Sequence, residues 1–544
     1  MSITTRYFDE RLARPGIGSV SLSIIVALYL IATANLTFWG KTFALLGGQP
    51  LASAFLMIGL ACAFIALCVS VSLKYVTKPI FIALVLVSAA TSWFMDNYGV
   101  IVDVEMLQSA VNTTNAEAGH FINTAFVWHM LLFGVLPAVL IAWVKVKHRP
   151  YLQKVKWNMA VIAPALLILL LAAFAHASTY LSLGREHRDW FATLNPVSPM
   201  VNLVKLAVRA GKDQNIVAQP LGLDAHVVAS SPKPRVTIIV AGETARAESF
   251  SLGGYARPTN PELARRNITY FPDTSSCGTI TEVSLPCMFS VYTRKQYSHQ
   301  KGLETENLLD VLMHAGVKTE WWDNNTGDKG IAKRSSYQPL FKSDDPRFCT
   351  NGECLDAILL DRIDAWLDTV KTDSVLVIHQ LGSHGPAYYL RYPAAFRRFT
   401  PDCRTAEFAK CSRQEIINAY DNTILYTDHI VATIIDKLKQ RESRLSPSMI
   451  YMSDHGESTG EYGLYLHGAP YFMAPPQQTR VPFVLWLGKD AQAQIDGDCL
   501  AGEAKKAQSH DNLFHTVLGM MRVETSVRDA SLDILSSCRR GQTS

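Results

Sequence analysis

The stretch Ser448–Glu457 reads SMIYMSDHGE, five strand-forming residues followed at once by a serine, two potential metal ligands, a glycine and a second acid. Arg235–Arg246, RVTIIVAGETAR, repeats the arrangement, with Glu243 just past an apolar run. Short runs that are apolar throughout, rather than alternating, suit strands buried on both faces of a sheet. With three more short runs rich in β-branched and aromatic residues, of which Val317–Trp321 also carries Lys318 and Glu320, strands are expected at Val236–Val240, Val317–Trp321, Ser374–His379, Ser448–Met452 and Val481–Trp486. Amphipathic segments lie between them, with helices expected at Thr305–Ala315, Ala357–Val370 and Arg413–Arg441. Alternating strands and helices predict an α/β domain with a mostly parallel central sheet. Ligands of such sheets bind beyond the carboxyl ends of the strands, which directs attention to the residues that follow each one.

Glu243, Asp454 and His455 all stand at such ends. Two carboxylates with an imidazole suit a divalent cation, and zinc is favoured where a position stays open to substrate. Thr281, in Thr281-Glu282-Val283-Ser284-Leu285-Pro286-Cys287, reads as the start of a helix. It is either a plain capping threonine or a hydroxyl that a metal ion activates as a nucleophile. His384 in GSHGP and His467 in YLHG are flanked by glycines on loops at the same sheet edge. Asn325 and Lys329, in NNTGDKG, follow another strand, and a lysine in such a turn holds phosphate as a point charge.

Upstream the composition changes. Apolar runs near Ile17–Phe38, Leu51–Leu73, Pro79–Met95, Ala125–Val144 and Met159–Ala177 are each close to the ~20 residues that cross a bilayer. Lys145–Trp157 carries five cations and no acid, and Lys74 and Lys78 lie between the second and third runs, so both segments are expected in the cytoplasm. Asp96–His120 carries Asp96, Asp103, Glu105 and Glu117 without Lys or Arg and is expected outside. Five spans then send everything after Ala177 outside as well. Ala32-Thr33-Ala34 also resembles a signal-peptidase site, a reading that would remove the first run and leave the other four oriented as before. Ser198-Pro199 opens an amphipathic helix that stops at Gly211, and a polar linker extends to Lys233. The expected organisation is a transmembrane domain at 1–178, a bridging helix and linker at 179–234 and an external catalytic α/β domain at 235–544.

The charge balance, 51 Lys+Arg against 47 Asp+Glu, excludes a protein that wraps nucleic acid by charge. Only 18% of residues are charged and 49% are hydrophobic, as expected of a chain partly embedded in lipid. Eight of the ten cysteines lie after residue 230. Cys277/Cys287, Cys349/Cys354 and Cys403/Cys411 are close enough for local disulfides in an oxidising compartment, which leaves Cys499 with Cys538 by elimination and Cys62 and Cys68 free. No C-x-x-C or paired H-x3-H accompanies them to suggest a structural zinc site.

With these residues assembled, the chain closely resembles the lipid A phosphoethanolamine transferases, the group that includes the mobile colistin-resistance enzymes, within the alkaline phosphatase and sulfatase superfamily. The likeness runs over nearly the whole length. It is strongest at Val240–Arg246, Ser276–Phe289, Ser383–Tyr388, Asn418–Thr423 and Ser453–Gly468. It implies Zn2+ on Glu243, Asp454, His455 and the oxygen of Thr281, with a second ion during turnover, and makes Thr281 rather than Thr279 the nucleophile. It implies that Asn325, Lys329, His384 and His467 surround the phosphate or a second metal, and that Ser109, Thr113 and Glu117 form a membrane-side donor pocket. The implied enzyme is a monomer of the Gram-negative inner membrane. It would work among membrane lipids with its catalytic domain in the periplasm, moving phosphoethanolamine from phosphatidylethanolamine to a lipid A phosphate and conferring polymyxin resistance. Two departures stand out. Several relatives have cysteines where this chain has Asp328 and Ala332, so the missing disulfide implies a more mobile Lys329 turn, and some have asparagine in place of Ser109. A membrane-anchored phosphoglycerol transferase, sulfatase or phosphodiesterase shares the implied fold. A non-catalytic membrane sensor is disfavoured by the intact Glu243, Thr281, Asp454 and His455.

Overall fold

The computed structural model describes residues 14–187, 189–214, 216–228 and 231–540. The first thirteen residues of the expected transmembrane domain, 188, 215, 229 and 230 of the expected bridging helix and linker, and 541–544 of the expected catalytic domain lie outside that set. The chain divides into two compact units: 1–104 with 122–205, and 105–121 with 206–544.

In chain order the helices that matter begin with α1 (Ser19–Thr33), α2 (Leu36–Leu46), α3 (Pro50–Ser70) and α4 (Thr77–Tyr98). The acidic loop folds as α5 (Val104–Asn112) and α6 (Asn115–Phe121), and α7 (Thr124–Trp143) and α8 (Tyr151–Ala175) follow. Four of these, α3, α4, α7 and α8, are each long and apolar enough to cross a membrane. The first expected span is a bent pair, α1 and α2 meeting at 65°, and counts as a fifth span if the two are taken together. Asn35 sits at the bend, where its side-chain amide donates to the carbonyls of Leu30 and Asn195 at 3.0 and 2.8 Å, satisfying groups that the break leaves open. The third run extends at both ends into the 22-residue α4. The cationic connection is shorter than its sequence suggests, because α8 begins at Tyr151. Lys154 is buried there and donates to Ser19 Oγ and Ser72 Oγ at 2.9 and 3.2 Å. The amphipathic helix is α9 (Val197–Asp213), which runs two residues past Gly211.

The other unit is built on a seven-stranded sheet. Its strands are β1 (Arg235–Gly242), β2 (Thr269–Phe271), β3 (Lys318–Asp323), β4 (Ser336–Pro339), β5 (Ser374–His379), β6 (Ser446–Ser453) and β7 (Phe483–Leu487), in spatial order β2-β7-β6-β1-β5-β3-β4. The five strands from β6 to β4 run parallel, and β7 and β2 add an antiparallel edge. Ile239, Val375, Val377, Ile450 and Leu485 are almost fully buried, as unbroken apolar strands require. The strand expected from Val481 starts at Phe483, after Pro482, which has no N–H for the ladder. The helix expected at Thr305–Ala315 starts only at Leu308. Asn307 accepts from Leu309 N, while Asp310 accepts from Asn307 N, a capping box that sets the boundary. With α10 (Thr281–Met288), α11 (Leu308–His314), α12 (Ala357–Thr369) and α13 (Arg413–Lys439), the layers are those of an α/β domain. Disulfides join Cys277–Cys287, Cys349–Cys354, Cys403–Cys411 and Cys499–Cys538, leaving Cys62 and Cys68 free.

Candidate active site

Strand register assembles the site. Gly242 of β1 pairs with Ser453 of β6, and Ala241 pairs with His379 of β5, which in turn pairs with Asp323 of β3. Four strands therefore end level, and the residues just beyond them converge. Gly382 makes the approach possible: its φ is +55°, and a Cβ there would lie 2.6 Å from the Glu243 carbonyl oxygen.

Glu243, Asp454 and His455 are completely buried, with a ligand atom from each within 4.8 Å of the others. Asp454 Oδ1 accepts from the backbone N–H of Thr244 (3.2 Å) and His455 (2.7 Å), whereas its Oδ2 is buried without a hydrogen-bond donor. His455 Nδ1 lies 3.0 Å from the Gly456 carbonyl, which aims Nε2 at the carboxylates, 3.4 Å from Glu243 Oε1 and from Asp454 Oδ2. Burial and the charge of Glu243 push the Asp454 carboxyl well above its usual range. An orphaned buried oxygen, a converging imidazole nitrogen and two like charges in one dry pocket form a donor set that fits a divalent cation. Among the described residues, the other group near enough to hold a metal is Cys499, Glu503 and Cys538, whose two sulfurs are joined to each other.

Thr281 is the first residue of α10. The cap is Ile280, with no side-chain capping bond, so Thr281 is not the plain capping residue that its sequence also allowed. Its Oγ1 instead donates to Glu243 Oε2 at 3.1 Å and lies 3.3 Å from His455 Nε2. Thr279 turns away and donates to the Ala469 carbonyl. The Cys277–Cys287 bridge brackets the turn, and Ser284 Oγ ties α10 to the Asp454 carbonyl.

The outer residues divide. Asn325 Nδ2 donates to Glu243 Oε2 at 2.7 Å, against a carboxylate of the cluster. The His467 ring packs tilted against His455, with ring centroids 4.3 Å apart, and edge to face with His384 at 5.6 Å. Glu117 of α6 reaches His384 Nε2 at 3.5 Å. Thr113, just past the end of α5, turns back on that helix, its Oγ1 donating to the Ser109 carbonyl at 2.9 Å. Lys329 is turned aside into a pair with Glu282. At the two positions where several relatives have cysteines, Asp328 accepts from Ala332 N at 2.7 Å.

Two features were not singled out from the sequence. His379 links Asp323, 3.1 Å from its Nδ1, to Asn325 Nδ2, 3.2 Å from its Nε2, and so braces the amide that holds Glu243. Glu457 receives Tyr388 Oη on one oxygen and His467 Nδ1 on the other. Burial pushes the Glu457 carboxyl up to about 8. Both residues stand at strand ends or in the SDHGE run, the one signal that could have found them.

A membrane-spanning unit joined to a parallel α/β sheet, with a metal-type cluster and a buried threonine hydroxyl at its carboxyl edge, defines a membrane-anchored enzyme of the phosphatase and sulfatase class. The sulfatase family model matches residues 235–523, and the model for phosphoethanolamine transferase EptA/EptB matches 60–210. The chain is 37% identical over 543 residues to phosphoethanolamine transferase EptA of Escherichia coli (strain K12), covering 97% of this chain and 98% of that one. It is 39% identical over 489 residues to phosphatidylethanolamine transferase Mcr-1 of Escherichia coli, covering 85% and 88%. The solved structure of the integral membrane lipooligosaccharide phosphoethanolamine transferase A from Neisseria meningitidis matches with a TM-score of 0.94 at 35% identity, covering 97% of this chain and all of that one. The chain belongs to the phosphoethanolamine transferase family.

Proposed function

We propose that this chain is an inner-membrane enzyme with its catalytic unit in the periplasm, that it moves phosphoethanolamine from phosphatidylethanolamine to a phosphate of lipid A by way of Thr281, and that it thereby confers polymyxin resistance. The observation that carries the reading is the Thr281 hydroxyl, which caps nothing and points into the Glu243, Asp454 and His455 cluster. The donor is supported by the name of the Mcr-1 relative and the acceptor by that of the Neisseria protein, a lipooligosaccharide transferase.

Glu243, Asp454, His455 and Thr281 Oγ1 would hold zinc, which supplies positive charge that favours the deprotonated hydroxyl and the developing charge on the phosphoryl oxygens. Thr281 Oγ attacks phosphorus, and the bond from phosphorus to the glycerol oxygen breaks with its electron pair on that oxygen. The departing alkoxide takes a proton and leaves as diacylglycerol. Burial holds the His467 imidazole neutral and its Nδ1 is engaged by Glu457, so Nε2 is free to take the proton that Thr281 Oγ loses, to give it to the departing alkoxide, and later to carry the acceptor's proton back to Thr281. His384, held by Glu117, flanks the same space, and Asn325 keeps Glu243 oriented. An oxygen of the acceptor phosphate then displaces Thr281 from phosphorus and restores the hydroxyl.

Mass spectrometry of lipid A from cells expressing the chain tests donor group and acceptor together. A phosphoethanolamine addition that depends on Thr281 is expected. Unmodified lipid A alongside phosphoethanolamine on another periplasmic acceptor would replace the acceptor, and a phosphoglycerol addition would replace the donor.

A further inference from the structure

Lys329 has no proton to spare. Its Nζ lies 2.7 Å from Glu282 Oε1 and donates to Thr326 O at 3.0 Å and Thr326 Oγ1 at 2.8 Å, so all three N–H groups of the ammonium are engaged. Only 6% of the lysine side chain and 8% of the Glu282 side chain are exposed. The turn is shaped around this arrangement. Lys329 has φ +49°, between Gly327 and Gly330 at φ +97° and +86°. A non-glycine residue keeps a left-handed conformation when its surroundings hold it there. Glu282 in turn directly follows Thr281 on the first turn of α10, and its Oε1 also accepts from Asn112 Nδ2 of α5 at 3.0 Å.

We infer that Glu282 is a positioning residue that holds Lys329 in reserve and so sets the affinity of the site for the phosphate of its donor. The inference rests on the reading of Lys329 as a phosphate contact. A phosphodiester anion competes with the Glu282 carboxylate for the same ammonium, and each donor molecule that engages Lys329 must draw it from a buried ion pair. Glutamine at 282 keeps an oxygen for Asn112 and Lys329 but removes the competing charge. The cation is then unpaired beside the nucleophile.

The test is steady-state kinetics of the zinc-loaded, full-length protein with phosphatidylethanolamine, together with inhibition by inorganic phosphate. Glu282→Gln should lower the donor KM by on the order of tenfold, the effect of one partly screened charge, with a much smaller change in kcat. It should strengthen phosphate inhibition in parallel. Lys329→Ala should raise the donor KM, and the gain in affinity from Glu282→Gln should largely disappear in the Lys329→Ala background, because the competition needs the lysine. Glu282→Asp, which withdraws the charge by one methylene, should shift KM the same way by less and carries the test if Glu282→Gln fails to fold. An unchanged or raised KM in the glutamine or aspartate variant, or additive effects in the double variant, overturns the inference. No effect of Lys329→Ala on KM would instead remove the phosphate role of Lys329 on which it rests.

Discussion

Replacing Thr281 with alanine should separate stability from turnover. Ile280 caps α10 without a side-chain bond, so the penalty of about 1 kcal/mol for deleting a capping hydroxyl does not apply. What is lost in the chelator-treated protein, on which the melts are taken, is the hydrogen bond to Glu243 Oε2 at 3.1 Å, worth about 0.5–1.5 kcal/mol. Glu243 Oε2 keeps its bond from Asn325 at 2.7 Å, and alanine regains up to about 0.7 kcal/mol of helix propensity. The net change stays within about 1 kcal/mol, which in a domain of this size moves the melting temperature by no more than about 4 °C. Turnover should fall by on the order of 10⁴-fold or more, the scale on which a deleted nucleophile is felt. The assay pairs thermal melts of the full-length protein with turnover of phosphatidylethanolamine and intact-mass analysis after exposure to donor. Wild type and Thr281→Ser should carry a phosphoethanolamine adduct and Thr281→Ala none. A variant that kept activity within about tenfold of wild type, or an adduct that mapped to Thr279, would refute the reasoning.

Three further outcomes are expected. Asp454→Asn removes a buried like charge and an orphaned oxygen, so the chelator-treated variant should melt no lower than chelator-treated wild type while its zinc affinity falls by more than the 10–100-fold typical of an outer contact; full zinc content by elemental analysis would contradict this. Unreduced, denatured protein should titrate as two thiols per chain, Cys62 and Cys68, and Cys277→Ser/Cys287→Ser should cost about 3 kcal/mol of stability and slow turnover by freeing the Thr281 turn. Asp428, buried on α13, is pushed by burial from 3.8 up to about 7, against the N–H groups of Glu262 and Leu263 that it accepts. Its folded state holds a proton that the unfolded chain has released, so this contribution is complete below pH ~4 and is lost as pH rises to ~7, by at most about 4 kcal/mol. Melting temperature measured against pH should flatten over that interval in Asp428→Asn, and an unaltered slope would show that the carboxylate stays ionised.

The chemistry-bearing positions at strand ends were legible because a strand buried on both faces must be apolar throughout, so a charged residue just beyond it stands out. Glu243 and the pair Asp454 and His455 were read in this way, as were the membrane runs, whose length a bilayer dictates. Local cysteine spacing likewise anticipated three of the disulfides, since a short loop leaves few partners, and the fourth, closing a 39-residue separation, followed by elimination. From its local sequence Thr281 was legible only as a choice between cap and nucleophile, and the resemblance alone favoured the second. The tertiary structure set aside the cap, through a rotation about one side chain and a cap at the preceding residue. Tertiary structure alone set Lys329 against Glu282, Asp323 against His379, Glu457 against His467 and Lys154 into a buried site among serines. These contacts join residues brought together by sheet register and helix packing, and pattern along the chain carries the face of each element but not the neighbour that face will meet.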